Sequence, residues 1–159
     1  MKLRVMLADD HAVFREALRM YLELAPDMEV VAEASDGHSA LRSLSQARPD
    51  VVCMDLNMPG LNGIETTRQL LRIQPNVKVI GLSASIDLVR VAEMFSAGAL
   101  GYVLKGSAGA ELLAAIRTVS RKQTYLSAEL GLKDAAELAR YAMRTPTPFV
   151  PPAPICPEG

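Results

Sequence analysis

Polar residues divide the chain into five short apolar runs: Leu3 to Ala8, Val30 to Ala34, Val51 to Met54, Val77 to Leu82 and Gly101 to Leu104. Near-continuous runs of this length predict strands buried on both faces, as in a parallel sheet covered by helices. The stretches between them carry helical spacing. Phe14, Ala17, Leu18 and Tyr21 follow the i, i+3, i+4, i+7 rule; Ile64, Thr67 and Leu71 mark a third helix, and Leu112, Ala115, Ile116 and Val119 a fifth. Gly, Pro, Asn, Asp and Ser fill the connections, as at Asn57 to Gly60 and Pro75-Asn76. Strands alternating with helices predict an α/β fold, a doubly wound five-stranded parallel sheet with right-handed crossovers. Its active crevice lies at the carboxyl ends of the strands.

The alternation stops after Lys122. Leu132, Ala135, Leu138, Ala139 and Ala142 predict one more amphipathic helix over Leu132 to Met143, and Asp134 with Glu137 resembles a capping box at its start. From Pro146 onward six prolines crowd the tail, which predicts an extended, unfolded end. The expected organisation is a domain over residues 1–123, a linker and helix over 124–145, and a Pro-rich tail over 146–159.

Composition narrows the functional classes. A net charge of −1 gives the chain no overall electrostatic attraction for nucleic acid or acidic membranes. Two cysteines make no framework: Cys53 sits inside an apolar run and Cys156 in the proline-rich tail, so no disulfide is expected and a reducing cytoplasm is the natural compartment. No apolar signal segment or membrane span is legible, so no membrane partner is expected.

Chemistry gathers at the strand ends. The first strand ends in Asp9-Asp10, the third in Asp55, the fourth in Ser83 and the fifth in Lys105. In a parallel sheet all of them meet in one crevice. Carboxylates packed together repel, and a divalent cation is the usual remedy. Oxygen ligands without a Cys or His cluster suit Mg²⁺. A carboxylate can act as nucleophile toward phosphorus, with Lys105 and the Ser83 hydroxyl stabilising phosphoryl oxygens. Taken singly, each residue has a plain structural explanation: an N-cap, a turn, a strand end. Their joint occurrence in order favours the functional reading. His11 is expected on the first helical turn, near but outside the crevice, and His38 on the surface; neither carries a role.

Over residues 1 to about 123 the chain resembles receiver domains of response regulators, of the NarL/FixJ type. The resemblance is carried by Leu7-Ala8-Asp9-Asp10-His11 with Phe14-Arg15-Glu16, Met54-Asp55-Leu56-Asn57-Met58-Pro59-Gly60 through Gly63-Ile64-Glu65, Val79 to Ser83, and Gly98-Ala99-Leu100-Gly101-Tyr102-Val103-Leu104-Lys105. It implies a flavodoxin-like receiver fold in which Asp55 is the phosphoacceptor served by a sensor histidine kinase. It also implies Mg²⁺ held by Asp10, Asp55 and the backbone carbonyl of Asn57, with Asp9 acting through water. Ser83 and Lys105 would contact the phosphoryl group, and Tyr102 would be the aromatic that follows Ser83. Tyr102 is equally well explained as a core residue. One departure stands beside the site: many receivers carry proline after the lysine, and here Gly106 follows, which leaves the loop more pliable.

NarL/FixJ-type regulators continue into a helix-turn-helix DNA-binding domain. Here the stretch after Ser127 resembles only the last helix of such a domain, as though the rest had been deleted. One helix cannot seat a recognition helix in the major groove, so DNA binding by this chain is not expected. The helix is expected to dock on its own domain or to form a homodimer. The rival readings are a DNA-binding regulator of the LuxR/FixJ type in truncated form and a phosphatase with an aspartyl nucleophile. The second is disfavoured because such enzymes place Asp-x-Asp after the first strand, whereas here the acidic pair is adjacent. A nucleotide-binding domain is disfavoured because no Gly-rich loop follows the first strand.

Overall fold

In the computed structural model, residues 1–131 are described. The expected helix over residues 132–143, the Pro-rich tail and Cys156 lie outside them. Five βα units run in order: β1 (Leu3–Ala8), α1 (Ala12–Glu23), β2 (Met28–Ala34), α2 (Gly37–Ala47), β3 (Val51–Asp55), α3 (Gly63–Ile73), β4 (Lys78–Ser83), α4 (Leu88–Ser96), β5 (Gly101–Leu104) and α5 (Ala108–Ser120). A sixth strand, β6 (Tyr125–Leu126), corrects the five-strand expectation. The sheet is wholly parallel in the order β2-β1-β3-β4-β5-β6. Two residues carry no legible periodicity, so β6 could not be read from the sequence. It exists because Tyr125 N–H donates to Leu100 O at 3.0 Å and Ser127 N–H to Tyr102 O at 2.9 Å.

Alternation along each strand sorts side chains between two cores. Met6, Ala8, Val52, Met54, Val79 and Tyr102 face α2, α3 and α4. Val5, Leu7, Val51, Cys53, Ile80, Leu82 and Val103 face α1 and α5. The α5 stripe of Leu112, Ala115, Ile116 and Val119 is buried as expected. On α1 the phase differs from the expected one. Leu18 and Leu22 are buried, Phe14 and Tyr21 are half-buried, and Ala17 faces solvent.

Side-chain caps fix the helix starts behind the crevice. Asp36 accepts from Ser39 N–H at 2.8 Å, Asn62 from Glu65 N–H at 2.9 Å, and Asp87 from Val89 and Arg90 N–H. Helix α1 lacks such a bond, because its N-cap is His11. Among the described residues, no helix is long and apolar enough to cross a membrane.

Candidate functional site

The strand order reverses direction between β1 and β3, which places the carboxyl ends of these neighbouring strands at a topological switch point. Asp9 follows β1 and Asp55 ends β3; both side chains are almost wholly buried, at 1% exposure for each residue. They are held alike. Oδ1 of Asp9 accepts the His11 backbone N–H at 2.8 Å, and Oδ1 of Asp55 accepts the Asn57 backbone N–H at 3.1 Å. The other oxygen of each, Oδ2, accepts no directed hydrogen bond. Both Oδ2 atoms face the Lys105 ammonium, at 2.8 Å from Asp9 and 3.3 Å from Asp55. Phe14 lies under that ammonium, with Nζ 4.9 Å from the ring centre.

Burial pushes the Asp55 carboxyl up to about 6, and the neighbouring charge of Asp9 adds to the rise. The Asn57 N–H and Lys105 oppose the shift without cancelling it. Buried carboxylates at close quarters, whose Oδ2 atoms share one ammonium, are an arrangement that further positive charge relieves. Asp10 stands at the rim with about a third of its side chain exposed. One ligand atom from each of Asp9, Asp10, His11 and Asp55 lies within 4.8 Å of the others. Buried oxygens without a directed hydrogen bond and this spacing fit a divalent cation.

His11 corrects the sequence reading. Its ring is not outside the crevice: Nδ1 is 3.1 Å from Asp9 Oδ1, 3.4 Å from Asp10 Oδ1 and 3.0 Å from Lys105 Nζ. Helical spacing says nothing about an N-cap side chain, so the sequence held no signal for this placement beyond adjacency to the acidic pair.

The remaining expected residues frame the pocket. Ser83, buried at the end of β4, donates its hydroxyl to Ser85 O at 2.9 Å and accepts the Ser85 N–H at 3.3 Å. Asn57 directs its side-chain oxygen to Arg90 of α4 at 2.9 Å. Arg90 is a site neighbour that the sequence reading missed. Tyr102 is fully buried on β5, and its hydroxyl has no partner among the described residues. Burial raises the pKa of that hydroxyl above its ordinary value. Room for its ring comes from Gly81, its partner in register on β4, where an added Cβ would sit 3.1 Å from Tyr102 Cδ2. Gly63 is constrained more severely: an added Cβ would collide with the Asp55 carbonyl oxygen.

Two buried aspartates, a lysine across from them and a serine on the next strand end agree with one family in particular. The model of the response regulator receiver domain matches residues 5–117. The chain belongs to this receiver family. Similar proteins include the transcriptional regulatory protein LiaR of Bacillus subtilis, 42% identical over 86% of this chain and 64% of its own length. The transcriptional regulatory protein DegU of Brevibacillus brevis is 38% identical over 79% of this chain and 53% of its own. The receiver therefore sits in a chain that spans between half and two-thirds of the length of these relatives. Among solved structures, a LuxR-family two-component response regulator from Aurantimonas sp. superposes with a TM-score of 0.80 at 35% identity, covering 90% of this chain and 99% of its own. The signal receiver domain of a response regulator NarL from Mycobacterium tuberculosis gives 0.73 at 32% identity, covering 77% of this chain and 98% of its own. The flavodoxin-like receiver fold is thereby shown.

Proposed function

We propose that Asp55 accepts a phosphoryl group from a phosphohistidine on a sensor histidine kinase, and that the modification changes the surface the receiver presents. The observation that carries this is the matched pair of buried aspartates, each with one oxygen fixed by a backbone N–H and the other free beside Lys105. The Asp55 carboxylate attacks phosphorus; an O–P bond forms, the N–P bond breaks, and the leaving imidazole keeps the electron pair. Lys105 stabilises the charge on the phosphoryl oxygens. Asp9, Asp10, Asp55 and the backbone carbonyl of Asn57 would hold Mg²⁺, which when bound neutralises developing negative charge.

Ser83 spends its hydroxyl on its own loop, so turning it toward the phosphoryl group releases Ser85. Tyr102, with its unpartnered hydroxyl on the adjacent strand, is placed to follow. The phosphoryl group favours the new state only through contacts it lacks in the old one. The chain works in the cytoplasm, where the kinase's phosphorylated domain is available, and a homodimer is the proposed output. Incubation with Mg²⁺ and acetyl phosphate should add one phosphoryl mass to the intact chain, and Asp55→Asn should abolish it. Undiminished labelling of that variant would defeat the assignment.

The relatives' names as transcriptional regulators favour a second reading, a receiver that governs a DNA-binding output. A phosphorylation-dependent gel shift would support it, and an unshifted probe at micromolar protein would dismiss it for this chain.

A further inference from the structure

The position of His11 asks for something that Mg²⁺ alone does not explain. A Lys ammonium carries only donors, so an imidazole nitrogen 3.0 Å from Lys105 Nζ must accept, which puts the proton on Nε2. The same Nδ1 stands 3.1 Å from Asp9 Oδ1, an atom that can only accept from it. With a proton on Nδ1 the imidazole satisfies Asp9 but meets Lys105 with a donor. Without one, it satisfies Lys105 but sets its lone pair against the carboxylate. Neither tautomer serves both neighbours. A cation between the nitrogen and the oxygens serves every lone pair at once.

We propose that His11 Nδ1 is a metal ligand in this pocket, and that it biases the receiver toward first-row transition-metal ions such as Zn²⁺ and Co²⁺ over Mg²⁺. The inference rests on the reading of the crevice as a cation site. It extends that reading by naming a fourth side chain and the class of ion it selects. Imidazole is a good ligand for borderline-soft ions and a poor one for Mg²⁺, which keeps to oxygen and water. Three carboxylates with one nitrogen form a mixed set whose affinity rises toward the later first-row metals. Local structure already supports the role. His11 is the N-cap of α1 in extended backbone (φ −88°, ψ 98°) and forms no cap bond with its ring. Its backbone N–H is bonded to Asp9 Oδ1, which holds the His11 backbone beside that carboxylate, and the ring nitrogen stands 3.1 Å from the same oxygen. The ring is 63% exposed, leaving the pocket side for the ion and the outer side, with Nε2–H, for water. Positive charge is also what the pocket lacks: three carboxylates gather there, with the Lys105 ammonium paired to Asp9 and Asp55.

The test is a pair of titrations on the metal-free full chain and on its His11→Gln variant, one with Zn²⁺ by chelator competition and one with Mg²⁺. Loss of the imidazole should weaken Zn²⁺ by roughly tenfold or more and leave Mg²⁺ affinity within about twofold, since imidazole contributes little to a magnesium site. The Co²⁺ form of the wild type should show an exchangeable, strongly shifted imidazole Nε2–H resonance that is lost in His11→Gln and kept in His38→Gln. Equal Zn²⁺ affinity in both chains, or a shifted resonance surviving His11→Gln, overturns the proposal while the cation site stands. Failure of the wild type to bind either ion overturns the cation site as well. Acetyl phosphate labelling of Asp55 is read separately, so loss of the phosphoacceptor assignment is distinguishable from both.

Discussion

At the scale of single residues, the site trades stability for chemistry. Asp55 has a carboxyl raised to about 6 in the folded protein, against an unfolded value of roughly 3.9. The folded state therefore binds that proton more tightly than the unfolded chain does. Stability from this group is fullest below the unfolded value, falls as pH rises toward 6, and stays reduced above it. Asp55→Asn keeps the shape and removes the buried charge. In EDTA at pH 7 the variant should be more stable than wild type by about 1–2 kcal/mol, with the gain shrinking to near zero at pH 4. Urea melts at the two pH values measure this; a variant less stable at pH 7 would contradict the electrostatic account. The aspartates and Lys105 were legible in the sequence because the fold class alone sends successive strand ends to one crevice. Which member of Asp9-Asp10 is buried was not legible, since that depends on the turn after β1. Nor was His11, whose ring direction is set by the Asp9 carboxylate rather than by any periodic pattern.

At the scale of elements, the last part of the sheet is held by polar bonds that hydrophobic patterning cannot reveal. Glu111 of α5 accepts from the Tyr125 hydroxyl at 2.8 Å and from the Ser127 hydroxyl at 3.0 Å, clamping β6 and the turn after it against α5. Desolvation first, then the hydrogen bond and negative charge of Glu111, push the Tyr125 phenol up to about 12. Ser127 is fully buried and Leu130 nearly so, and Leu130 joins the core on the side of α2, α3 and α4. Removing the clamp by Glu111→Ala leaves the Ser127 hydroxyl without its acceptor, at a cost of about 1–3 kcal/mol. Hydrogen exchange should then speed up at the Tyr125 and Ser127 amides and not at β1 or β3; uniform acceleration would mean that β6 opens only with the whole domain. Tyr102 shares this edge, since its carbonyl accepts the Ser127 N–H. Its hydroxyl makes no hydrogen bond among the described residues, so Tyr102→Phe removes a buried polar group without removing a partner. The variant should melt at the wild-type temperature or a few degrees above it, roughly 0–1 kcal/mol more stable. A clear loss of melting temperature would show that the hydroxyl does find a partner in solution.

At the scale of the whole molecule, the two cores leave one helix incompletely used. Val13, Ala17, Met20 and Leu24 recur at i, i+4, i+7 and i+11 along α1, and all face solvent, with Val13 at 84% and Leu24 at 81% exposure. Spacing of this kind normally marks a buried face; the sequence had placed Ala17 inward with a different set, Phe14, Leu18 and Tyr21. The true buried face is offset and carries Leu18 and Leu22. An apolar stripe that no described residue covers, starting beside a reactive pocket, is a surface on which another protein can dock. Its first residue, Val13, stands two residues beyond His11, so a protein-sized donor seated over Asp55 covers ground near it, whereas acetyl phosphate needs only the pocket. Replacing Val13 and Leu24 by Asp should therefore slow transfer from a phosphorylated histidine kinase by roughly tenfold or more, the loss expected when central apolar contacts worth about 1–2 kcal/mol are removed. Labelling by acetyl phosphate should remain at the wild-type rate. Equal slowing with both donors would locate the effect in the pocket, and equal rates with both would free α1 from any part in docking the kinase.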